Sequence, residues 1–415
     1  MRVAHLNEYA KSPCVVITYP YPLGRASGGA RHVREIARHL GKLDARVIIL
    51  AVSASLRNRF PRPKIAKEFL GFELDEALSR YSVEVIRVPQ NPFDWRLDGL
   101  RVKQALKDFL KHHRVDIVLS FFQESAFLPS FLRSRNIKFG YLAAWQSYAL
   151  ALNGSQQEGI VHKFMRIHLN RQSIIKPYKQ ADILFANSRY TRDELINIIG
   201  VDKNRIVVCP LGVDGSFIEI PRLMPEEVTR FIFFGRIIFS KGVADAINAL
   251  ARLAAKGITN WNFRIIGQGD QEWARNLASE CGIGDKVVVC GPVDDVGLRR
   301  ELQQAHLAIL PSHVESFGLS IAEAQAAGIP VVAYDTGSVP EIVENGVTGW
   351  LAPFRQVDQL AHSIEQAIQN PEAAYRAGLA GRERVKQLFS WEKTAATILK
   401  GVRRIMLPER TFQRA

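Results

Sequence analysis

Two glutamates eight positions apart, Glu315 and Glu323, bracket the start of a helix in the segment Pro311-Ser-His-Val-Glu-Ser-Phe-Gly-Leu-Ser-Ile-Ala-Glu-Ala-Gln-Ala-Ala-Gly-Ile-Pro-Val-Val-Ala333. The pattern predicts a buried strand at Leu307 to Leu310, a short loop, a helix over Phe317 to Ala327, and a second buried strand from Val331. One carboxylate then stands in front of the helix and the other inside it. The backbone N–H groups of Gly318, Leu319 and Ser320 fall among the donors that a helix start leaves unsatisfied, which suits an anionic phosphate. Carboxylates flanking an anion site fit a ligand with hydroxyls on both sides of a phosphate, as in a nucleotide sugar. Alone, this spacing describes a charged helix cap and a solvated helix glutamate better than a ligand site. Further upstream, Phe231-Ile-Phe-Phe-Gly-Arg236 ends a strand, and Lys241-Gly242 opens the next helix. Arg236 and Lys241 thus sit at the carboxyl end of a parallel strand, where open α/β sheets bind ligands. A planar guanidinium fork and a point-charge ammonium there are suited to neutralising a diphosphate.

Positioning such groups requires strands and helices in alternation, and the chain has them throughout. Short Val/Ile-rich runs occur at Cys14–Thr18, Val47–Ala51, Val83–Arg87, Ile117–Ser120, Phe139–Ala143, Ile183–Ala186 and Ile206–Cys209. A second series runs through Phe231–Phe234, Phe263–Ile266, Val287–Cys290, Leu307–Leu310 and Val331–Tyr334. Each series suffices for its own doubly wound parallel sheet with helices on both faces, and 415 residues are too many for one core. The predicted fold class is α/β, with two Rossmann-like domains. The first covers residues 1–213 and the second 214–390, with a linker within Leu211 to Thr229.

The motifs together resemble the retaining glycosyltransferases of family 4, which have the GT-B architecture. The resemblance rests on Gly28-Gly29-Ala-Arg-His-Val-Arg-Glu-Ile-Ala, Ala181-Asp-Ile-Leu-Phe-Ala-Asn-Ser188, Ile206-Val-Val-Cys-Pro-Leu-Gly-Val-Asp214 and Gly267-Gln-Gly269-Asp270. The Arg236/Lys241 and Glu315/Glu323 pairs and Gly337-Ser-Val-Pro-Glu-Ile-Val-Glu-Asn-Gly-Val-Thr-Gly-Trp350 complete it. It implies two domains facing a cleft, with the final helix (391–415) returning to the first domain. The second domain would bind the nucleotide sugar and the first the acceptor. Glu323 would meet the ribose and Glu315 the transferred sugar. Gly267 and Gly269 would approach the donor, while Arg236, Lys241 and the N–H groups of Gly318 to Ser320 stabilise the departing diphosphate. Gly28 and Gly29 would let backbone approach a phosphate or the acceptor. No metal and no cofactor is implied, the nucleotide sugar being a co-substrate.

Many members of that family carry a histidine just after the strand equivalent to Ile117–Leu119, and often another after the next strand. Here the positions read Ser120-Phe-Phe-Gln-Glu124 and Ala144-Trp-Gln-Ser147. Either a different residue lines the acceptor pocket, by position Gln123, Glu124 or Gln146, or activity is weakened; Phe121, Phe122 and Trp145 would make this pocket apolar, in keeping with a lipid-linked or aromatic acceptor. His5, His32 and His39 read as core or helix-surface residues.

The net charge of +14 is uneven: residues 1–210 carry +15 and residues 211–415 carry −1. A basic first half attracts anionic lipid or an acidic acceptor, and no nucleic-acid motif accompanies it. Arg57–Glu76 and His162–Lys179 interleave cations with apolar residues, as do helices lying in a membrane interface and also ordinary core-facing helices. No apolar run approaches the roughly 18 to 20 residues that span a bilayer, and Met1–Ser12 does not read as a secretory signal. Four scattered cysteines (Cys14, Cys209, Cys281, Cys290) lack metal spacing and suit a reducing cytoplasm. The expectation is a cytoplasmic hexosyltransferase acting on a lipid-linked or cell-envelope saccharide, with peripheral contact at the inner face of the membrane left open. An epimerase or hydrolase on the same fold, or a non-catalytic binding protein, are the alternatives.

Overall fold

The structure, a computed structural model, describes residues 12–21, 23, 28–53, 72–89, 98–143, 175–222, 224 and 228–407. The chain divides into two units, Met1–Cys209 with Trp391–Ala415, and Pro210–Ser390. The boundary falls four residues ahead of the expected one, because Val213 donates its N–H to the Phe389 carbonyl (3.0 Å) at the far end of the second unit.

In the first unit, β1 (Cys14–Tyr19), β2 (Arg46–Ser53), β3 (Val83–Pro89), β4 (Ile117–Ser120), β5 (Lys138–Ala143), β6 (Ile183–Ala186) and β7 (Ile206–Val208) form one sheet. Its order is β3-β2-β1-β4-β5-β6-β7, and every pairing is parallel. Parallel strands covered on both faces need apolar side chains at consecutive positions. All six residues of β1 are accordingly buried. Helix α1 (Gly28–Lys42) buries Ala30, Val33, Ile36, Ala37 and Leu40, the spacing of one helical stripe.

The second unit contains β8 (Thr229–Phe234), β9 (Trp261–Ile266), β10 (Val287–Gly291), β11 (Leu307–Ile309), β12 (Val331–Asp335) and β13 (Gly349–Pro353). They repeat the pattern as β10-β9-β8-β11-β12-β13, again all parallel. Strand β13 is absent from the sequence expectation, for Gly-Trp-Leu-Ala-Pro carries a glycine and a proline at its ends. It becomes a strand through its register on β12, from Val331↔Gly349 to Asp335↔Pro353. Helices of this unit include α2 (Val243–Ala255), α3 (Leu319–Ala326) and α4 (Val357–Gln369). The last helix, α5 (Trp391–Met406), packs on α1 and β6 of the first unit. There Glu392 meets His39 Nε2 at 2.9 Å, and Gly401 lies against the Phe185 ring.

Candidate functional site

Each sheet reverses its winding at one point, between β1 and β4 in the first unit and between β8 and β11 in the second. Loops leaving two such neighbours part to opposite faces and leave a crevice at the carboxyl edge. The predicted site residues gather there in both units.

In the second unit, Arg236 follows β8 by two residues, and a single 3-10 turn, Phe239–Lys241, leads into α2. Glu315 lies in the loop between β11 and α3. Lys241 Nζ pairs with the Glu315 carboxylate across 74 positions of sequence. Both side chains are largely withdrawn from water, with 16% and 8% exposed. Arg236 is exposed, and its guanidinium has no hydrogen bond or ion pair among the described residues. The crossover therefore presents one compensated cation and one uncompensated one. Helix α3 starts from Gly318 in the left-handed region (φ 90°), an N-cap with no side chain of its own to satisfy the leading N–H groups. The expected helix is thus shortened to Leu319–Ala326, and Glu323 lies in its second turn, buried.

Glu315 is held by its backbone. Ser338 donates both its N–H (3.1 Å) and its hydroxyl (3.2 Å) to the Glu315 carbonyl. Gly337, at φ +56°, lies so close that a Cβ would come within 2.3 Å of the same oxygen. Gly267 and Gly269, expected against the donor, zip the loop after β9 onto the loop after β8. Gly235 N–H bonds to Ile266 O (2.9 Å) and Ile237 N–H to Gln268 O (2.8 Å). A Cβ on Gly267 would meet Gly235 O at 1.7 Å and one on Gly269 would meet Ile237 O at 2.2 Å. These glycines fix the backbone on either side of Arg236.

In the first unit, Gly28 and Gly29 open α1 after β1, and Gly29 Cα stands against the Tyr19 hydroxyl. Glu124, expected to line an open pocket, is 1% exposed. Its carboxylate accepts the Phe121 N–H (2.9 Å), the Phe122 N–H (3.0 Å) and the Thr18 hydroxyl (3.1 Å). The Ser120 hydroxyl lies 2.7 Å from that of Thr18, so Glu124 clamps the loop after β4 onto β1. Burial pushes its pKa up to about 7, against the hydrogen bonds from Phe121, Phe122 and Thr18. Gln123 belongs to the 3-10 turn Gln123–Ser125, and its side chain is outside the described residues, as are Trp145, Gln146 and His5. Phe121 is buried edge-on against Tyr19 (5.5 Å) and His32 (4.9 Å). Burial lowers the His32 pKa to about 3, so the ring is a neutral core group, and His39 is buried as well.

Thr18, Asp245, His313, Tyr334 and Ser338 complete the two sites and carried no signal of their own in the sequence. Only the surrounding motifs mark His313 and Ser338. Among the described residues no group of three or more His, Cys, Asp or Glu could hold a metal ion. No described helix is long and apolar enough to cross a membrane.

Two family profiles match in tandem, Glycosyltransferase Family 4 over residues 26–217 and Glycosyl transferases group 1 over residues 218–384. A glycogen synthase of Mycobacterium tuberculosis is 33% identical over 222 residues, which are 52% of this chain and 53% of that protein. The chain thus spans about half the length of the curated relatives it matches. Among solved structures, sucrose-phosphate synthase from Thermosynechococcus elongatus superposes with a TM-score of 0.75 at 20% identity, over 95% of this chain and 99% of that one. Anabaena Alr3699/HepE, in complex with UDP and glucose, gives 0.68 at 17% identity over 93% and 98%. At those identities the likeness concerns the fold, two Rossmann-like domains of the GT-B class.

Proposed function

We infer the reaction of this chain from its family, glycosyltransferase family 4, to which it belongs. The reading is a retaining glycosyltransferase that moves a hexosyl group from a nucleotide sugar to a lipid-linked or cell-envelope saccharide. One observation carries it: at the β8/β11 crossover Arg236, unpaired among the described residues, the Lys241–Glu315 pair and the glycine-led start of α3 lie on neighbouring loops. That set suits a diphosphate bearing a sugar. A glycogen synthase and a UDP-bound neighbour among the similar proteins support a nucleotide-sugar donor.

In the proposed reaction the bond from the anomeric carbon to the diphosphate oxygen breaks, and a new bond forms from that carbon to an acceptor hydroxyl oxygen. The hydroxyl proton passes to the departing diphosphate. Attack from the face the diphosphate is leaving, within a short-lived ion pair, keeps the anomeric configuration. Negative charge grows on the leaving group, so Arg236, Lys241 and the α3 N–H groups act most strongly in the transition state. Glu315 would orient the sugar hydroxyls and, by pairing with Lys241, hold that ammonium in place. Glu323 would meet the ribose. Glu124 would shape the acceptor side through the Phe121 and Phe122 backbone. These cations supply the charge that a metal would otherwise bring, so none is required by this reading.

Mass spectrometry of the protein incubated with a panel of nucleotide sugars, with and without membrane extract, tests the proposal. A hexose mass added to an extract component, with one nucleotide sugar consumed, is expected. Consumption without any acceptor product would point to a hydrolase instead.

A further inference from the structure

Lys241 and Glu315 lie on different loops, and something must fix the distance between them. The loop after β11 is tied to the turn after β8 by the His313 N–H, which bonds to Ser240 O at 2.9 Å. Its side chain makes a second tie, with His313 Nε2 at 2.9 Å from Asp245 Oδ2 in the first turn of α2. Asp245 also accepts the Tyr334 hydroxyl at 2.9 Å, which brings in β12. Thr336, just beyond β12, donates to the His313 carbonyl at 3.3 Å. Three ties therefore meet at His313, through its N–H to Ser240, its imidazole to Asp245 and its carbonyl from Thr336, two residues from Glu315 and bonded beside Lys241.

The surroundings keep the ring in place. Phe239 and Phe354 stand edge-on to it at 4.8 and 5.8 Å, and only 8% of the His313 side chain is exposed. Burial pushes the Asp245 pKa up, but the hydrogen bonds from His313 and Tyr334 outweigh that and hold the carboxyl below its ordinary value. Asp245 is thus a carboxylate acceptor at neutral pH, and Nε2 carries the proton it needs. Nδ1 is buried without a partner among the described residues. A buried polar atom left unmet opposes folding. An apolar residue would avoid that, so the value of a histidine here lies at Nε2.

We propose that Asp245 and His313 are positioning residues that set the Lys241–Glu315 pair, with Asp245 as the fixed point and His313 as the link between loops. Neither touches the reacting groups in this account. The catalytic half of the proposal rests on the glycosyl-transfer reading, while the geometric half stands on the ion pair alone.

The two halves are tested separately. Double-mutant cycles of Lys241→Met and Glu315→Gln, read by denaturant unfolding, give the coupling between the pair in the wild-type and His313→Leu backgrounds. The coupling should fall by at least half in the His313→Leu background, and an unchanged coupling overturns the proposal. If His313→Leu does not fold, Asp245→Asn serves as the background, with the same expectation. The second arm measures turnover and calorimetric UDP affinity of His313→Leu and His313→Gln. A glutamine amide nitrogen reaches the Nε2 position and donates to Asp245, but it has no counterpart of Nδ1. His313→Leu should lose at least tenfold in kcat with UDP affinity within threefold of wild type, and His313→Gln should recover most of that loss. Equal loss in the two variants, or wild-type turnover in His313→Leu, overturns the positioning role. A lost coupling in a protein whose wild type transfers no sugar would sink the proposed function and leave the geometric inference standing.

Discussion

Arg236 and Lys241 share one sequence signature, a cation at a strand end, yet the structure gives them different surroundings. Arg236 is exposed and unpaired among the described residues, whereas Lys241 neutralises a carboxylate that is largely buried. Arg236→Ala should therefore lower turnover by about a hundredfold, roughly 3 kcal/mol of transition-state stabilisation, with the melting temperature unchanged. Lys241→Met should lose a similar factor in rate and also unfold earlier, because it leaves the Glu315 charge uncompensated. Kinetics and melting curves of both variants check this, and wild-type kinetics in both would sink the diphosphate assignment. The carboxylates separate in the same way. Free nucleoside diphosphate has a ribose but no transferred sugar, so calorimetry should show Glu323→Ala weakening its binding and Glu315→Ala sparing it while transfer collapses. Equal losses would contradict the split. Turnover should also survive a chelator, because cations of the chain surround the presumed diphosphate. Loss on chelation with rescue by magnesium would overturn that.

At the scale of elements, most of the frame was readable because parallel strands covered on both faces announce themselves as apolar runs. Strand β13 was not, since its glycine and proline argue for a turn until β12 is there to pair with it. The site was legible to the extent that its groups lie at carboxyl ends of strands. The pairing of Lys241 with Glu315 depends on which strands become neighbours, and sequence spacing says nothing about that. Glu124 is the instructive departure. A glutamate beside Gln123 and Ser125 reads as pocket polarity, but two backbone N–H groups and the Thr18 hydroxyl turn it inward. Its raised pKa has a consequence for stability. With a folded value of about 7 against an ordinary 4.5, the folded state holds the proton more tightly than the unfolded chain. The contribution is fully present below about pH 4.5 and is lost as pH rises through about 7, amounting to about 3 kcal/mol at most. Glu124→Gln should remove that slope, so the stability difference between wild type and variant should shift in favour of the variant from pH 5 to pH 8. A difference constant across that range, measured by chemical denaturation, would show that Glu124 does not titrate between those limits.

For the whole molecule, the uneven charge is the property that neither site explains. Residues 1–210 carry +15 and residues 211–415 carry −1, although the presumed diphosphate site lies in the second unit. The surplus on the first unit fits a role on the acceptor side, where an anionic surface would hold a lipid-linked substrate. The two stretches that mix cations with apolar residues, Arg57–Glu76 and His162–Lys179, lie mostly outside the described residues, so their part in this rests on sequence. Each Lys or Arg near an anionic surface contributes about 1 kcal/mol, so four or five engaged together suffice for reversible attachment. The protein should therefore sediment with vesicles containing anionic lipid, lose that affinity steeply as salt rises, and bind neutral vesicles poorly. Apolar side chains would leave a smaller, salt-resistant remainder. Replacing Lys163, Arg166 and Arg171 with Glu should release the protein from the vesicles while nucleotide affinity stays as it was, since the nucleotide is assigned to the other unit. If sedimentation shows no preference for anionic lipid at low salt, the membrane reading fails, and a soluble acidic saccharide becomes the better candidate acceptor for the same basic surface.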